Sequence, residues 1–415
     1  MIAPSLLAEV QPLAERFVTA GHRIYLVGGV VRDQLLGRPI ADTTDLDLTT
    51  DAGPDAIKRA VAGLADAVWS QGERFGTIGC RIGSRDYEIT SHRGESYEPH
   101  SRKPSVVFSS QIEHDLERRD FTVNAMAFEL PAGELIDPFH GRDDLRDGVL
   151  RTPLAPEVSF SDDPLRMLRA ARFLSGYGLV PEPTLVDAIA GLTSRMAIVS
   201  IERRRDELDK LLSVEDPTGG FRFLRQHDLI RYMVPGLAES SDIDFDQAMS
   251  AVQRLPRARL RLAALIAASS DARADAERQV RALRYGNEVI AEIGAVVHGA
   301  AMIRTHRSDW ADADVRRLAA ATGDRLDDAV TLASTHLDTQ PLRDRIELLR
   351  SQEDLGTLAL PLDGDVVMRL LGIEPGVEVG RALAFIRDLR IREGPIAPTI
   401  AADRLAQWWS DQPRD

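Results

Sequence analysis

Two carboxylates, Asp45 and Asp47, stand two residues apart in the run DLDLT. If this run is a strand, positions i and i+2 share a face, so the two acids project side by side. Such a pair repels itself unless something positive lies between its members. Mg²⁺ suits the place, because it is hard, prefers oxygen, and is usually held by one or two carboxylates together with substrate phosphates. Just upstream, an apolar strand from Ile24 to Val27 breaks at Gly28-Gly29. The glycines let backbone amides approach an anion, and the amphipathic helix that starts near Val30 and closes at Gly37 turns its positive end to the same place. A phosphate-cradling loop, a helix N-terminus and paired carboxylates describe a nucleoside triphosphate site. The same residues, taken singly, also suit a plain strand-turn-helix-strand with surface acids.

The elements that must position these groups can be read around them. Residues 5 to 20 form an amphipathic helix ended by Gly21, and Pro54 starts another helix. A strand from Ala67 to Ser70 follows, and FGTIGCRIGSRDYEIT reads as a β-hairpin around Gly83-Ser84. In its second strand Glu88 is an acid between the apolar Tyr87 and Ile89, which suits a surface-facing position as readily as a functional one. His92 to Glu117 is polar with little periodicity and reads as a mobile loop followed by a short helix. RRDFTVNAMAFEL, Arg118 to Leu130, reads as a helix start followed by a strand. Its arginines can hold phosphate through a bidentate fork, and a carboxylate such as Asp120 can bind a ribose hydroxyl. Pro153 and Pro156 mark a boundary. From Asp162 the periodicity is helical almost to the end, with Pro164 in the first turn and Ser161 as the expected cap of that helix.

Composition narrows the class. The 415 residues leave room for two or three domains, and 44% hydrophobic with 28% charged residues is ordinary for a globular protein. No apolar run approaches the roughly 18 residues of a membrane helix. The N-terminus, acidic within a helical pattern and without a basic n-region, does not read as a secretory signal. The single cysteine, Cys80, excludes an internal disulfide, fits a cytoplasmic setting, and falls on a predicted strand as core filling. A net charge of −14 argues against tight, indiscriminate RNA binding, and 5% aromatics weigh against a single-strand stacking platform. Neither excludes a local basic groove for one RNA of fixed shape.

Taken together, GGVVRD, DLDL, RRDFTVNA, IDPFHGRDDLRDG, DDPLR and SIERRR resemble the motifs of the class II tRNA nucleotidyltransferases and bacterial poly(A) polymerases. These form a branch of the polymerase-β-like nucleotidyltransferases. The likeness covers about residues 24 to 212; its one irregularity is a slightly long spacer between GGVVRD and DLDL. It implies an α+β fold, with a small mixed α/β nucleotidyltransferase head (1–150), a helical neck carrying the nucleotide-selecting helix (151–235), and a helical body and tail (236–415) that binds tRNA. It also implies that Asp45 and Asp47 hold two Mg²⁺ ions, with Glu88 the candidate third carboxylate. Gly28, Gly29, Arg32, Asp33, Arg119, Asp120 and Asn124 map to nucleotide binding. Asp137, Gly141 and Asp144, from the DPxxGxxDL segment, serve geometry more than chemistry, and His140 is a loop histidine. In the family, the region before Arg118 includes a flexible loop that helps add the last nucleotide.

Asp163 and Arg166 lie three apart on one predicted helix face and suit an ordinary ion pair. They also suit base reading. Cytosine offers an N4 amine beside the N3 acceptor and adenine an N6 amine beside N1, which a fixed carboxylate and a fixed guanidinium can match. Uracil and guanine present a carbonyl there, and a mispaired buried polar group costs about 1–3 kcal/mol. The family's motif at this place is EDxxR, with its Asp and Arg as protein template; here Asp162 replaces the Glu. Asp163 and Arg166 are thus counted with the nucleotide-binding residues, as are Arg169 and Arg172, which extend the face to touch tRNA or to brace the helix. Glu202 and Arg203 map to the family's brace for the template helix, whereas Glu207 with Lys210 reads as an exposed helix pair. His227-Asp228 lacks the further histidines and acids of a metal phosphohydrolase, and His227 reads as a partly exposed helix end. LPLDGDVVMRLLGIEPGVEVGRALAFIRDLRIREG resembles, diffusely, the C-terminal tRNA-gripping part of some members.

The expected activity is template-independent addition of CCA to the tRNA 3′ end from CTP and ATP, with poly(A) polymerase or a specialist adding only A or only CC as the alternatives and a catalytically dead nucleotide- or RNA-binding protein as a reading of another class. An obligate protein partner is not evident, and the oligomeric state is open.

Overall fold

In a computed structural model of the chain, residues 2–41, 43–96 and 105–412 are described. They fall into two compact units, 1–233 and 234–415. The first is built on a seven-stranded mixed sheet. Its strands are β1 (Ile24–Val27), β2 (Leu46–Thr50), β3 (Ala67–Trp69), β4 (Thr77–Ile82), β5 (Arg85–Ser91), β8 (Ala127–Leu130) and β9 (Glu134–Ile136), in the order β3-β4-β5-β2-β1-β8-β9. β2 and β5 run parallel, and the other neighbours are antiparallel.

The alternation of β2 sets the whole arrangement. Leu46 and Leu48 point into a core shared with Ile24, Leu26, Ile78, Cys80 and Ile89. Over this face pack α1 (Pro4–Thr19), through Leu6, Val10, Leu13 and Phe17, and α3 (Pro54–Val61), through Ile57 and Val61. Cys80 is the core filler its strand position suggested, and burial pushes its thiol up to about 11. Asp47 and Thr49 necessarily take the opposite face. There Tyr25, Val27 and Ala127 pack on Ile112 and Leu116 of α4 (Ile112–Glu117). The edge of that layer leaves Asp47 open.

Between β5 and α4 the sequence reading needs correction. Arg93–Ser96 (β6) and Ser105–Phe108 (β7) pair antiparallel rather than forming a loop. SVVF carries β propensity that its polar surroundings obscured. The remainder of the expected mobile loop, 97–104, lies outside the described residues. A second correction concerns Ser161. Helix α6 (Pro156–Asp162) already contains it, and α7 (Leu165–Tyr177) starts three residues later, after an extended Asp163. The residue before a proline is driven from helical to extended backbone, so Pro164 breaks the helix at Asp163. The Asp163 carboxylate, not the Ser161 hydroxyl, receives an α7 amide, that of Leu165 at 3.2 Å.

The first unit is completed by α2 (Gly29–Leu35), α5 (Gly141–Asp147), α8 (Pro183–Leu192), α9 (Ile201–Leu212) and α10 (Thr218–Gln226). His227 ends α10 and is half-buried, as expected. The second unit is helical. Its long central helix, Asn287–Thr305, buries Ile290, Ile293, Val296, Val297, Ala300 and Ile303. A smaller core towards the C-terminus gathers Leu362, Val367, Ala382, Ile386, Ala401 and Leu405. Among the described residues no helix is long and apolar enough to cross a membrane.

Candidate active site

The acid face is assembled by strand register. Asp47 on β2 is the direct neighbour of Glu88 on β5, and Asp45 precedes β2 by one residue on the same side. All three side chains are exposed, and among the described residues none makes an ion pair or a hydrogen bond. Glu88 therefore joins the pair, as the β5 alternation allowed. Although open to solvent, Asp47 stands against enough protein to be desolvated. Desolvation, with Asp45 beside it, holds its carboxyl above the usual range against the pull of Arg119 and Arg169. Glu88 is likewise raised, by desolvation and then by Asp47 and Asp45. Asp47 and Glu88, both raised and both beside the Asp45 carboxylate, form a site for positive charge.

Gly28 explains how this face stays open. It sits at φ 76°, which suits glycine, and a Cβ there would lie 3.0 Å from Arg119 Nη1 and 3.4 Å from Asp47 Oδ2. A side chain would fill the space these two groups line. Gly29 follows as the first residue of α2. Among the described residues no three His, Cys, Asp or Glu side chains form a closed metal cage. The donor set instead fits a hard cation that takes one or two carboxylates and draws its other oxygens from phosphates and water.

Behind the acid face, the RRDFTVN segment belongs to a buried polar network. Arg32 donates to Asp33 at 3.0 and 3.1 Å and to Asn124 Oδ1 at 2.7 Å; it also bonds the Tyr177 hydroxyl and lies 4.0 Å over that ring. Asn124 Nδ2 donates to Asp120 Oδ1 at 2.9 Å, and Arg169 lies 2.7 Å from Asp120 Oδ2. Burial opposes ionisation of Asp120, yet Arg169 and the Asn124 bond outweigh it and hold the carboxyl below its usual range. Arg119 is tethered at 3.3 Å to Asp115, a fully buried acid that also holds Arg118 at 2.6 Å. At Asp115 too, burial is outweighed by Arg118 and Arg119, and the carboxyl is held low. Sequence reasoning missed Asp115 and Tyr177. An acid three and four residues ahead of two arginines on a helix is a readable signal for the first; for the second, only tertiary packing supplies one.

The segment is buttressed from below. Asp137 caps α5, accepting from the amides of Gly141 at 2.7 Å and Arg142 at 2.9 Å, and Asp144 accepts from the Thr122 hydroxyl at 2.7 Å. A Cβ on Gly141 would fall 2.1 Å from the Thr122 carbonyl oxygen, so only glycine lets α5 come this close. His140, at φ 57°, is the turn residue before α5.

Asp163 and Arg166 do not pair with each other. Arg203 grips Asp163 in a bidentate fork at 3.1 and 2.6 Å. Arg166 is buried and donates to the Ser159 hydroxyl at 2.7 Å and to the Arg118 carbonyl. Its helix is thereby tied to the RRDFTVN segment at two points, through Arg166 and through Arg169. Arg172 braces rather than reaching outward: its Nε donates at 2.8 Å to Glu207. Glu207 does pair with Lys210, at 3.5 Å, but it is 2% exposed, which corrects the exposure expected of it. In α9 it falls on the stripe of Leu208, Leu211 and Leu212, which carries it inward. Glu202 is exposed in the first turn of the same helix.

Residues 24–151 match the poly A polymerase head domain, and residues 178–240 match a domain described as a probable RNA and SrmB-binding site of polymerase A. A CCA-adding enzyme from Lactiplantibacillus plantarum is 39% identical over 243 residues, 58% of each chain. One from Bacillus subtilis is 42% identical over 202 residues, 48% of this chain and 49% of its own. The aligned part thus spans about half the length of these curated relatives. The solved structure of the Bacillus stearothermophilus CCA-adding enzyme in complex with CTP superposes with a TM-score of 0.79 at 27% identity, covering 99% of this chain and all of that one.

Proposed function

The chain belongs to the family of class II tRNA nucleotidyltransferases and bacterial poly(A) polymerases, and on that footing we propose that it adds CMP, CMP and AMP in turn to the 3′ end of tRNA, from CTP and ATP. The observation that carries this reading is the fixed acceptor and fixed donor beside the RRDFTVN segment: Asp163 set by Arg203, and Arg166 set by Ser159 and the Arg118 carbonyl. Such a pair accepts from the amine and donates to the ring nitrogen of cytosine or adenine. Against uracil or guanine it meets a carbonyl with an acceptor, which costs about 1–3 kcal/mol.

The sugar and triphosphate would lie along Gly28, Gly29, Arg119, Asp120 and Asn124, with Arg32, Asp33 and Arg169 holding that strip in place and Arg172 bracing the selecting helix. In the reaction the tRNA O3′ attacks the α-phosphorus, a new P–O bond forms, and the bond to the bridging oxygen breaks. Pyrophosphate leaves and the hydroxyl proton passes to solvent. Asp45 and Asp47, with Glu88 alongside, would hold two Mg²⁺ ions; bound there, Mg²⁺ lowers the pKa of the 3′-hydroxyl and neutralises charge on the leaving pyrophosphate. Asp137, Gly141 and Asp144 support the strip from beneath, and Glu202 with Arg203 supports the selecting helix. Residues 1–150 act as the catalytic head, 151–235 as the neck, and 236–415 as the tRNA-gripping body and tail. A tRNA substrate and a single buried thiol both suit the cytoplasm.

The test uses purified protein, Mg²⁺ and tRNA transcripts ending before CCA, after C, or after CC, with CTP and ATP offered singly and together. Products that stop at CCA are expected. Long A tails on tRNA and unrelated RNA alike would assign poly(A) polymerase instead, and growth only on the transcript ending in CC would assign an A-adding specialist.

A further inference from the structure

Ser159 is buried in α6 with no exposure at all, yet it hydrogen-bonds both members of the base-reading pair. Its hydroxyl accepts from Arg166 Nη1 at 2.7 Å. Its carbonyl accepts from the same nitrogen at 3.4 Å and from the Asp163 amide at 3.2 Å. Resting on the proposed function above, we infer that Ser159 is the positioning residue that sets the reading geometry of the pair, and that its contacts select which atoms remain for the base.

Counting donors and acceptors identifies those atoms. A guanidinium has five N–H groups, and a carboxylate about four acceptor sites. Arg166 Nη1 is spent on the Ser159 hydroxyl and carbonyl, and Nη2 gives one hydrogen to the Arg118 carbonyl. The Nε–H and one Nη2–H are left. Asp163 Oδ1 accepts from the Leu165 amide and from Arg203 Nη1, whereas Oδ2 takes only Arg203 Nη2. Oδ2 is therefore the oxygen with room for an exocyclic amine. The edge of Arg166 that faces the base depends on Nη1 being pinned, and the Ser159 hydroxyl holds it at the shorter distance. Without that hydroxyl the plane can turn about Cδ–Nε, and a second N–H can meet the carbonyl of uracil or guanine.

The experiment compares the parent with Ser159→Ala, Ser159→Thr and Val158→Ala, measuring single-nucleotide incorporation of CTP, UTP, ATP and GTP on transcripts ending before CCA and after CC. Val158 is the exposed neighbour on the same helix and controls for disturbance of α6. The inference predicts that Ser159→Ala narrows the preference for CTP over UTP, and for ATP over GTP, by about tenfold, the scale of one misdirected hydrogen bond. Ser159→Thr, which keeps the hydroxyl, and Val158→Ala should retain the parental ratios. Parental ratios in a folded Ser159→Ala protein would overturn the inference, as would a loss shared equally by all four nucleotides. If Ser159→Ala shows no cooperative melting, Ser159→Thr decides: retained ratios support the assignment and narrowed ratios overturn it. A parent that incorporates neither C nor A refutes the proposed function itself, and the inference with it.

Discussion

The two groups of carboxylates in the first unit are treated in opposite ways. On the acid face Asp45, Asp47 and Glu88 stand exposed, without ion-pair partners among the described residues, and the last two carboxyls are pushed up. In the layer behind, Asp115, Asp120, Asp163 and Glu207 are each matched by arginine: Arg118 and Arg119, Arg169, Arg203, and Arg172. The fold supplies positive charge freely to one set and withholds it from the other. A strip that must hold its shape before substrate arrives is closed by its own ion pairs. A face that must attract a cation and a triphosphate is left electrostatically incomplete.

The sharpest way to break this contrast is to remove an acid from each set. Asp47→Ala should lower nucleotide incorporation by at least about a hundredfold, the scale of losing one preorganised electrostatic group, without lowering the melting temperature. Normal turnover in single-turnover assays would end the metal-ligand assignment. Asp120→Ala should behave in the reverse sense. It strands Arg169 and Asn124 in the buried network, and a broken buried pair of this kind costs about 3 kcal/mol. Urea unfolding measures that loss, and a change under about 1 kcal/mol, the scale of a surface pair, would show that the network does not hold the strip.

Acid titration sharpens the same point with a defined sign. The folded values of Asp115 and Asp120 lie below the ordinary carboxylate value of about 3.9. Their stabilisation is therefore complete above that value and drains away as pH falls through the lowered folded values. Stability measured by urea at stepped pH should drop below about pH 4 in the parent, and drop less steeply in Asp120→Asn. Equal slopes would contradict the pairing. Among the arginine-paired acids, the smallest effect on stability belongs to removing the partner of Asp163, by Arg203→Ala. The Arg203–Asp163 pair is partly exposed, so its loss should change unfolding free energy by no more than about 1 kcal/mol. Selectivity for CTP over UTP should nevertheless fall, because Asp163 loses its fork. Unchanged selectivity in the incorporation assay would detach Arg203 from base reading.

Much of this was legible in the chain because it depends on local rules. The i, i+2 spacing of Asp45 and Asp47, the break at Gly28-Gly29 and the alternation around Glu88 follow from strand geometry alone, and the structure places those residues together. The order of motifs carried the rest of the resemblance. The resemblance gave Arg203 a bracing role, but the atom-level partners were not legible. That Asp163 is held by Arg203, 40 residues on, and that Arg166 turns away to Ser159 and Arg118, follows from how α6, α7 and α9 pack. The i,i+3 rule pointed to a pair that does not form, because Pro164 takes Asp163 out of the helix. Glu207 misled for a similar reason: a charged helix residue is usually outside, and only the half-buried Arg172 beside it shows why this one is not.

The contrast is tested most directly by melting curves of the parent and of Asp47→Asn with CTP, each with and without Mg²⁺. A ligand that binds only the folded state raises the melting temperature, and does so more the further its concentration exceeds its Kd. In the parent, Mg²⁺ should enlarge the shift that CTP produces, because cation and triphosphate complete the acid face together. In Asp47→Asn the CTP shift should be nearly independent of Mg²⁺. The same Mg²⁺-dependent gain in both proteins would mean that the unpaired acids are not there to receive a cation.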